Sequence, residues 1–265
     1  MDHRKVRKFW NNNAGTWTRL SRAGYDVYRD HLNTPAFLKI LPDVNGLSGL
    51  DVGCGEGHNT RLVAQLGARM TALDISDIFV HLADQVEQHS TGRIDYLNAS
   101  AVELPFKTCS FDFVTSFMSL MDISEIEHVV EEIFRVLAAG GFLQFSISHP
   151  CFNTPHHRNL RNKEGVSYAF EVGDYFHNLN GELEEWLFSA APLEEKKGLR
   201  PFQVPRFTHT LSQWMNLLVD TGFTLEFLSE PCPSDQVVLE HPDLQDSQVV
   251  AYFLHVRARK PLSAI

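Results

Sequence analysis

The feature that most constrains the fold is a regular alternation of short apolar runs with helical patterns between residues 47 and 147. From Ile126 to Leu137, apolar residues recur at three- and four-residue spacing, which predicts an amphipathic helix that ends at Gly140 and Gly141. This rhythm predicts a parallel sheet with helices on both faces. The predicted strands are 50–53, 70–73, 94–97, 111–116 and 142–147, and the predicted helices are 59–66, 78–86 and 126–137.

Two segments lie outside this rhythm. The first 45 residues are polar and aromatic, which predicts one or two helices, the second opened by Pro35. After His149 and Pro150 the periodicity is lost, and it returns with a helix over 211–219 and strands over 223–228 and 248–257. Long insertions of this kind are usually binding loops or lids. The predicted domains are a helical cap over 1–45, a core over 46–150 and 208–260, and a lid over 151–207.

Composition narrows the classes of partner. The chain has 265 residues, with 33 acidic and 23 basic side chains and a net charge of −10, which argues against nucleic acid as its main partner. It has no apolar stretch of the ~20 residues that span a bilayer. Its four cysteines, widely spaced and without a CxxC pair, predict neither a disulfide framework nor a zinc site. The expectation is a cytoplasmic protein with no membrane partner and no metal.

Gly53, Gly55 and Gly57 stand where the first predicted strand turns into the first helix. Glycine lets the backbone approach a ligand closely, and open α/β sheets bind ligands beyond the carboxyl ends of their strands. Asp74 ends the second strand, where a carboxylate can accept hydrogen bonds from ribose hydroxyls. An alternative is that Asp74 only shapes the turn before Ser76.

The spacing of the glycines helps to distinguish between two possible ligands. A dinucleotide-binding loop reads G-x-G-x-x-G, and its third glycine would fall on His58 in this chain. The pattern here is G-x-G-x-G, and S-adenosylmethionine has no pyrophosphate that such a loop must hold. The loop therefore favours S-adenosylmethionine over a nicotinamide cofactor, although Asp74 suits both.

With these motifs the chain resembles the class I S-adenosylmethionine-dependent methyltransferases that act on small molecules. The resemblance covers about residues 46–148 and 207–258. It implies a doubly wound α/β fold, with a seven-stranded, mostly parallel sheet whose last strand is antiparallel. The motifs that carry it are Leu50–Gly57, Ala72–Ser76, Glu103–Phe106, Ser110–Asp112 and Phe134–Leu137 followed by Gly140 and Gly141.

The resemblance also implies roles for individual residues. Asp51 would face the methionyl end of the cofactor, Asp74 the ribose and Ile75 the adenine. Ser100 stands where the family often has an aspartate that accepts from the adenine amino group, and a serine hydroxyl can accept such a bond without a charge. Arg29 would lie near the cofactor carboxylate. The residues expected to bind the cofactor are Trp17, Asp51, Gly53, Cys54, Gly55, Asp74, Ile75, Ser76, Ser100, Ala101, Val102, Ser116 and Phe117.

The catalytic group is harder to predict, because methyl transfer depends mainly on alignment of the reactants. An oxygen acceptor also needs a base, and His149, just past the fifth strand, is the candidate. His149 could equally be a hydrogen-bonded histidine at a hinge. Asp122 is interpreted as the start of a helix. His156, His157 and His209 are expected to be structural or exposed.

The predicted function is transfer of a methyl group to O, N or S of a small molecule in a cleft beneath an aromatic lid. The aromatic residues of the insertion could instead form a small core or a dimer surface, so a homodimer stays open. The segment Ser116–Ser119 lacks the Asn/Asp-Pro-Pro-Tyr/Phe motif, which argues against a nucleobase amino acceptor. The alternatives are a non-catalytic module that binds the cofactor or a partner, and a nicotinamide-dependent oxidoreductase.

Overall fold

The computed structural model describes residues 1–88 and 94–262. Its strands are β1 Ser48–Val52, β2 Arg69–Asp74, β3 Asp95–Asn98, β4 Phe111–Phe117, β5 Leu137–Ser148, β6 His156–Arg161, β7 Ser167–Gly173, β8 Asn180–Trp186, β9 Phe202–Phe207, β10 Thr224–Ser229 and β11 Phe253–Arg259. Its α-helices are α1 His3–Arg22, α2 Thr34–Ile40, α3 His58–Gln65, α4 Asp77–Glu87, α5 Ile126–Val136, α6 Leu193–Lys196, α7 Leu211–Thr221 and α8 Asp235–Glu240. A π-helical turn covers Arg29–Asn33, and 3-10 helices cover Leu120–Asp122 and Pro242–Gln248.

Seven of the described strands form one sheet in the order β10-β11-β5-β4-β1-β2-β3. The strands from β1 to β5 pair in parallel, whereas β11 runs antiparallel to both β5 and β10. This arrangement confirms the predicted fold class, a doubly wound α/β sheet with an antiparallel last strand. Pro35 stands in the first turn of α2, as predicted.

The core forms because the central strands are apolar on both faces, as strands of a parallel sheet must be. On one face α5 buries Ile126, Val129, Val130 and Ile133 almost completely, and Trp214 of α7 joins the same cluster. Burial of a large aliphatic side chain stabilises the fold by about 1.5–3 kcal/mol. The periodicity of α5 is therefore a consequence of the sheet it covers.

Several predicted boundaries were wrong, and the fifth strand begins at Leu137 rather than at residue 142. The helix α5 ends at Val136, and Gly140 and Gly141 lie inside β5 rather than capping the helix. Their role is close approach, because a Cβ on Gly141 would lie 2.6 Å from the carbonyl oxygen of Asp112. The last strand begins at Phe253 rather than at residue 248, because the preceding residues turn into a 3-10 helix that buries Leu244.

The segment 151–207 folds into two antiparallel hairpins, β6–β7 and β8–β9. Polar contacts anchor the first hairpin, because Asp246 accepts hydrogen bonds from Asn159 at 3.0 Å, from the Ser167 hydroxyl at 2.6 Å and from Arg161. Aromatic contacts anchor the second, whose Phe202 ring lies 4.8 Å from the Trp17 ring of α1. Both hairpins are therefore fixed by residues far away in the chain.

Within the part of the chain that the structure describes, no helix is both long enough and apolar enough to cross a membrane.

Gly49 offers a test of the packing at the centre of the sheet. A Cβ at this position would lie 2.3 Å from the Phe113 ring and 2.7 Å from the Met70 sulfur. We expect Gly49→Ala to lower the free energy of unfolding by about 1–3 kcal/mol, the usual cost of overpacking a core. Gly15→Ala is the control, because Gly15 is exposed in α1 with nothing near its Cβ, and it should gain about 0.5–1 kcal/mol. Urea unfolding followed by circular dichroism would measure both, and equal stabilities would contradict this account.

Candidate functional site

The carboxyl ends of β1, β2 and β4 open into a cavity of about 610 Å³. Pockets that bind small molecules typically measure ~300–1,000 Å³. The glycine loop, α1 and the insertion contribute to the cavity wall along with these strand ends. The cavity therefore lies where an open α/β sheet is expected to bind its ligand.

The glycine loop is held against the end of β2. The backbone N–H groups of Gly53 and Cys54 donate to the carbonyl oxygen of Leu73 at 2.9 and 3.0 Å. Gly53 has a φ of 72°, and a Cβ there would lie 2.2 Å from the Ser119 hydroxyl oxygen. Gly57, with a φ of 81°, directly precedes α3. Only glycine satisfies both the conformation and the close contact at Gly53.

Asp74 is buried at the end of β2, where 8% of its surface is exposed, and it lines the cavity. One carboxylate oxygen accepts from the N–H of Gly55 at 2.9 Å, and the other from the N–H of Ser76 at 2.8 Å. Burial raises the pKa of this carboxyl to about 6. Asp74 thus shapes the turn before Ser76, and both oxygens keep a lone pair for a ligand.

Asp51 lies at the end of β1 and is almost fully buried. Its carboxylate accepts from the hydroxyls of Thr60 at 2.5 Å and Thr115 at 3.0 Å, and burial raises its pKa to about 6. Asp51 therefore links β1 to α3 and β4 while it also lines the cavity.

The N-terminal segment covers one side of the cavity. Arg7 of α1 donates to Asp77 at 2.8 Å, and Arg22 donates to Glu56 of the glycine loop at 2.9 Å. Arg29 also lines the cavity, where its guanidinium donates to Asp30 at 2.7 Å. These contacts fix α1 across the glycine loop and α4.

Most of the residues expected to bind the cofactor lie around this one cavity. Ser76 does not line it, since it caps α4, and Ser116 shares a hydrogen bond of 2.7 Å with Ser119. Val102 packs against the core instead. Cofactor contact by each of these residues stays a prediction. Those that line the cavity are Trp17, Asp51, Gly53, Cys54, Gly55, Asp74, Ile75, Ser100, Ala101 and Phe117.

The structure gives no support to His149 as the base. The ring is 2% exposed and does not line the cavity. Its Nε2 lies 2.7 Å from a carboxylate oxygen of Glu230, and its Nδ1 accepts from the N–H of Cys151 at 3.2 Å. Both ring nitrogens are therefore occupied, as expected for the alternative of a hydrogen-bonded hinge histidine.

The other histidines of this region separate into two groups. His156 pairs with Glu171 at 2.9 Å and His157 with a backbone carbonyl, and neither lines the cavity. His209 does line it, with its ring beside Trp214. Among the described residues, no cluster of three His, Cys, Asp or Glu side chains is arranged to hold a metal ion.

Asp122 is the residue that the sequence interpretation undervalued. It was predicted to start a helix, but it ends a 3-10 helix, the next helix begins only at Ile126, and Asp122 lines the cavity. Burial raises the pKa of this carboxyl well above its usual range. Its position directly after β4 was the available indication, because residues that follow parallel strands lie at the ligand-binding edge.

Comparisons with known proteins agree with this geometry. Residues 50–145 match a family described as a methyltransferase domain. A malonyl-acyl-carrier-protein O-methyltransferase of Pectobacterium atrosepticum is 33% identical over 124 residues, or 46% of this chain and 47% of that protein. A demethylmenaquinone methyltransferase of Lactococcus lactis is 35% identical over 118 residues, or 43% and 47%. The chain thus spans about half the length of these relatives.

A solved structure extends the likeness over most of the chain. The S-adenosylmethionine-dependent methyltransferase of Mesorhizobium loti aligns with a TM-score of 0.69 and 26% identity, covering 85% of this chain and 96% of that one. The chain therefore contains a methyltransferase domain of the class I, S-adenosylmethionine-dependent kind, and the predicted family and cofactor are confirmed. These findings favour the methyltransferase interpretation over a nicotinamide-dependent oxidoreductase.

Asp74 should contribute measurably to binding of the cofactor product S-adenosylhomocysteine. We expect Asp74→Ala to weaken binding by roughly 10- to 100-fold, the effect of losing hydrogen bonds to a charged group. Asp84→Ala is the matched control, because Asp84 is an exposed carboxylate of α4 outside the cavity wall. Isothermal titration calorimetry gives both affinities, and similar values would remove Asp74 from the site.

Binding should also depend on pH. Burial raises the pKa of Asp74 to about 6, and ribose hydroxyls that donate to its carboxylate would favour the ionised form. The pKa of Asp74 should therefore fall when the ligand binds. The affinity should then be highest above pH ~6. It should drop, by at most about tenfold per pH unit, as the pH falls through that value. Titrations from about pH 5 to about pH 8 would show this, and Asp74→Asn should flatten the profile. The same slope in that variant would assign the effect to Asp26 or Asp51, whose pKa values are also about 6.

Proposed function

We propose that this protein transfers a methyl group from S-adenosylmethionine to a small molecule held between the glycine loop and the insertion. One observation carries the proposal. A single cavity extends from Gly53, Gly55 and Asp74 to side chains of the β8–β9 hairpin. A donor at the glycine loop and an acceptor below the hairpin would therefore share one enclosed space.

The lining of the acceptor end supports a small, largely apolar molecule. Trp186, Phe188 and Phe207 of the second hairpin line the cavity together with Tyr175 and Trp214. Aromatic walls with few polar groups are typical of pockets for small organic ligands. In this proposal the segment 151–207 is the lid over the acceptor and the segment 1–45 covers the donor.

Methyl transfer depends mainly on alignment of the reacting atoms. The thioether is already a good leaving group, so the protein must hold the acceptor atom, the methyl carbon and the sulfur in line. Fixed walls suit this task, and α1 is tied across the site by Arg7 and Arg22. The proposal covers transfer to an oxygen, nitrogen or sulfur atom of the acceptor. It also includes a cytoplasmic location, no nucleic-acid partner and a possible homodimer.

Binding of the donor provides the first test. We expect S-adenosylhomocysteine to bind with micromolar affinity and NADH not to bind, as measured by calorimetry. Gly53→Ala should abolish binding, because the new methyl group would meet Ser119 at the loop. Gly165→Ala is the control, since Gly165 has the same kind of positive φ but nothing near its Cβ and lies between β6 and β7. Failure of the wild type to bind either S-adenosylmethionine or S-adenosylhomocysteine at millimolar concentration would refute the proposed function.

A further inference from the structure

Asp122 lies at the acceptor end of the cavity in a position that the backbone fixes. Its N–H donates to the carbonyl oxygen of Ser119 at 2.9 Å, in the 3-10 helix that directly follows β4. The cavity wall on both sides of it, from Phe117 to Ser124, comes from the same segment. The carboxyl group therefore faces the ligand space from the carboxyl edge of the sheet.

The Asp122 carboxyl has no hydrogen-bond donor within reach among the residues that the structure describes. The carboxylates at the ends of β1 and β2 both have partners, since Asp51 accepts from two threonines and Asp74 from two backbone N–H groups. Asp122 is half-buried and lines the cavity. Its carboxylate oxygens are therefore open to a hydrogen-bond donor on a ligand that enters the cavity.

The charged groups opposite Asp122 belong to the second hairpin. Arg206 of β9 donates to the carbonyl oxygen of Asn153 at 2.8 Å, and its Nε lies 3.5 Å from a carboxylate oxygen of Glu184 in β8. Arg206 lowers the pKa of Asp122 and Glu184 raises it, but burial outweighs both. His209 follows β9 in the cavity wall, and burial lowers the pKa of its ring.

Arg206 is therefore bonded to Asn153 and Glu184, whereas the Asp122 carboxylate accepts no hydrogen bond from a described residue. The guanidinium of Arg206 joins the hairpin to the loop after β5, so it acts as part of the wall. Asp122 in contrast lines the cavity without a hydrogen-bond partner among the described residues, and the aromatic residues Trp186, Phe207 and Trp214 line the same cavity. A flat apolar ring that carries one polar hydrogen fits such surroundings.

Resting on the function proposed above, we propose that Asp122 is the catalytic base for an acceptor that carries a hydroxyl group on an aromatic ring. The hydroxyl donates to the Asp122 carboxylate. As the oxygen attacks the methyl carbon, the new C–O bond forms and the C–S bond breaks, and its electron pair stays on sulfur as a neutral thioether. The hydroxyl proton passes to Asp122, so atoms and charge balance.

An aromatic hydroxyl suits this site better than an amine. An amine acceptor reacts in its neutral form and needs no base, whereas a hydroxyl that is protonated at neutral pH becomes a strong nucleophile only when its proton is removed. A base works best when its pKa lies near the working pH, and burial moves the pKa of Asp122 upward, in that direction.

The test uses two acceptors of different acidity, 1-naphthol and 4-nitrophenol, with release of S-adenosylhomocysteine as the readout. We expect Asp122→Asn to lower kcat for 1-naphthol by at least roughly 100-fold. The loss should be much smaller for 4-nitrophenol, because this phenol gives up its proton to water near neutral pH. Asp122→Glu should recover part of the activity, and Asp220→Asn, at an exposed position of α7, should behave as wild type.

The outcomes separate this inference from the proposed function. Equal losses for the two phenols would mean that Asp122 acts only through the structure, and unchanged kcat would mean that it has no role; either result overturns the inference. Wild-type protein that binds S-adenosylhomocysteine but methylates neither phenol, while it methylates the matched amines 1-naphthylamine and 4-nitroaniline, would also overturn it. Absence of S-adenosylhomocysteine binding in the wild type would instead refute the proposed function. Asp122→Asn should keep its affinity for S-adenosylhomocysteine within about twofold, which shows that the variant is folded.

Discussion

The parallel packing of β1 between β2 and β4 is the constraint on which the rest of the structure depends. It requires Gly49, whose missing side chain gives room to Phe113 and Met70. It also places Asp51 where hydroxyls from α3 and β4 reach the same carboxylate. Because all three strands then end at one edge, the glycine loop, Asp74 and the turn after β4 meet around a common cavity. The pairing of these strands therefore determines which side chains meet at the site.

Local patterns were sufficient to predict which residues lie around the glycine-loop end of the cavity. The glycine triplet, Asp74 and the periodicity of α5 each express a constraint within a few residues of the chain, and the sheet order follows from them together with the family resemblance. The opposite end of the cavity depends on contacts between distant residues. His149 turns away from the cavity because Glu230, 81 residues later, binds its ring. No local pattern contains that information.

The secondary structure of the insertion, residues 151–207, could not be predicted from local sequence patterns either. Three of its four strands, β6, β7 and β8, are largely exposed or half-exposed, so they lack the apolar periodicity of a core strand. The fourth strand, β9, is mostly buried. What holds them is a polar network around Asp246 and the contact of Phe202 with Trp17. The absence of periodicity in the sequence therefore indicates two surface hairpins fixed from outside, rather than a loop without structure. Residues of these hairpins line the cavity together with the glycine loop.

Three buried carboxyl groups in the cavity wall affect which charge a ligand should carry. Asp26, Asp51 and Asp74 line it, and burial raises the pKa of each to about 6, so their ionised forms are held at a cost in free energy. A cation placed among them offsets that cost, and the sulfonium of S-adenosylmethionine is such a cation. After transfer the sulfur is neutral and the offset is lost. An acidic cavity wall of this kind therefore suits a cationic methyl donor better than a product whose sulfur is neutral.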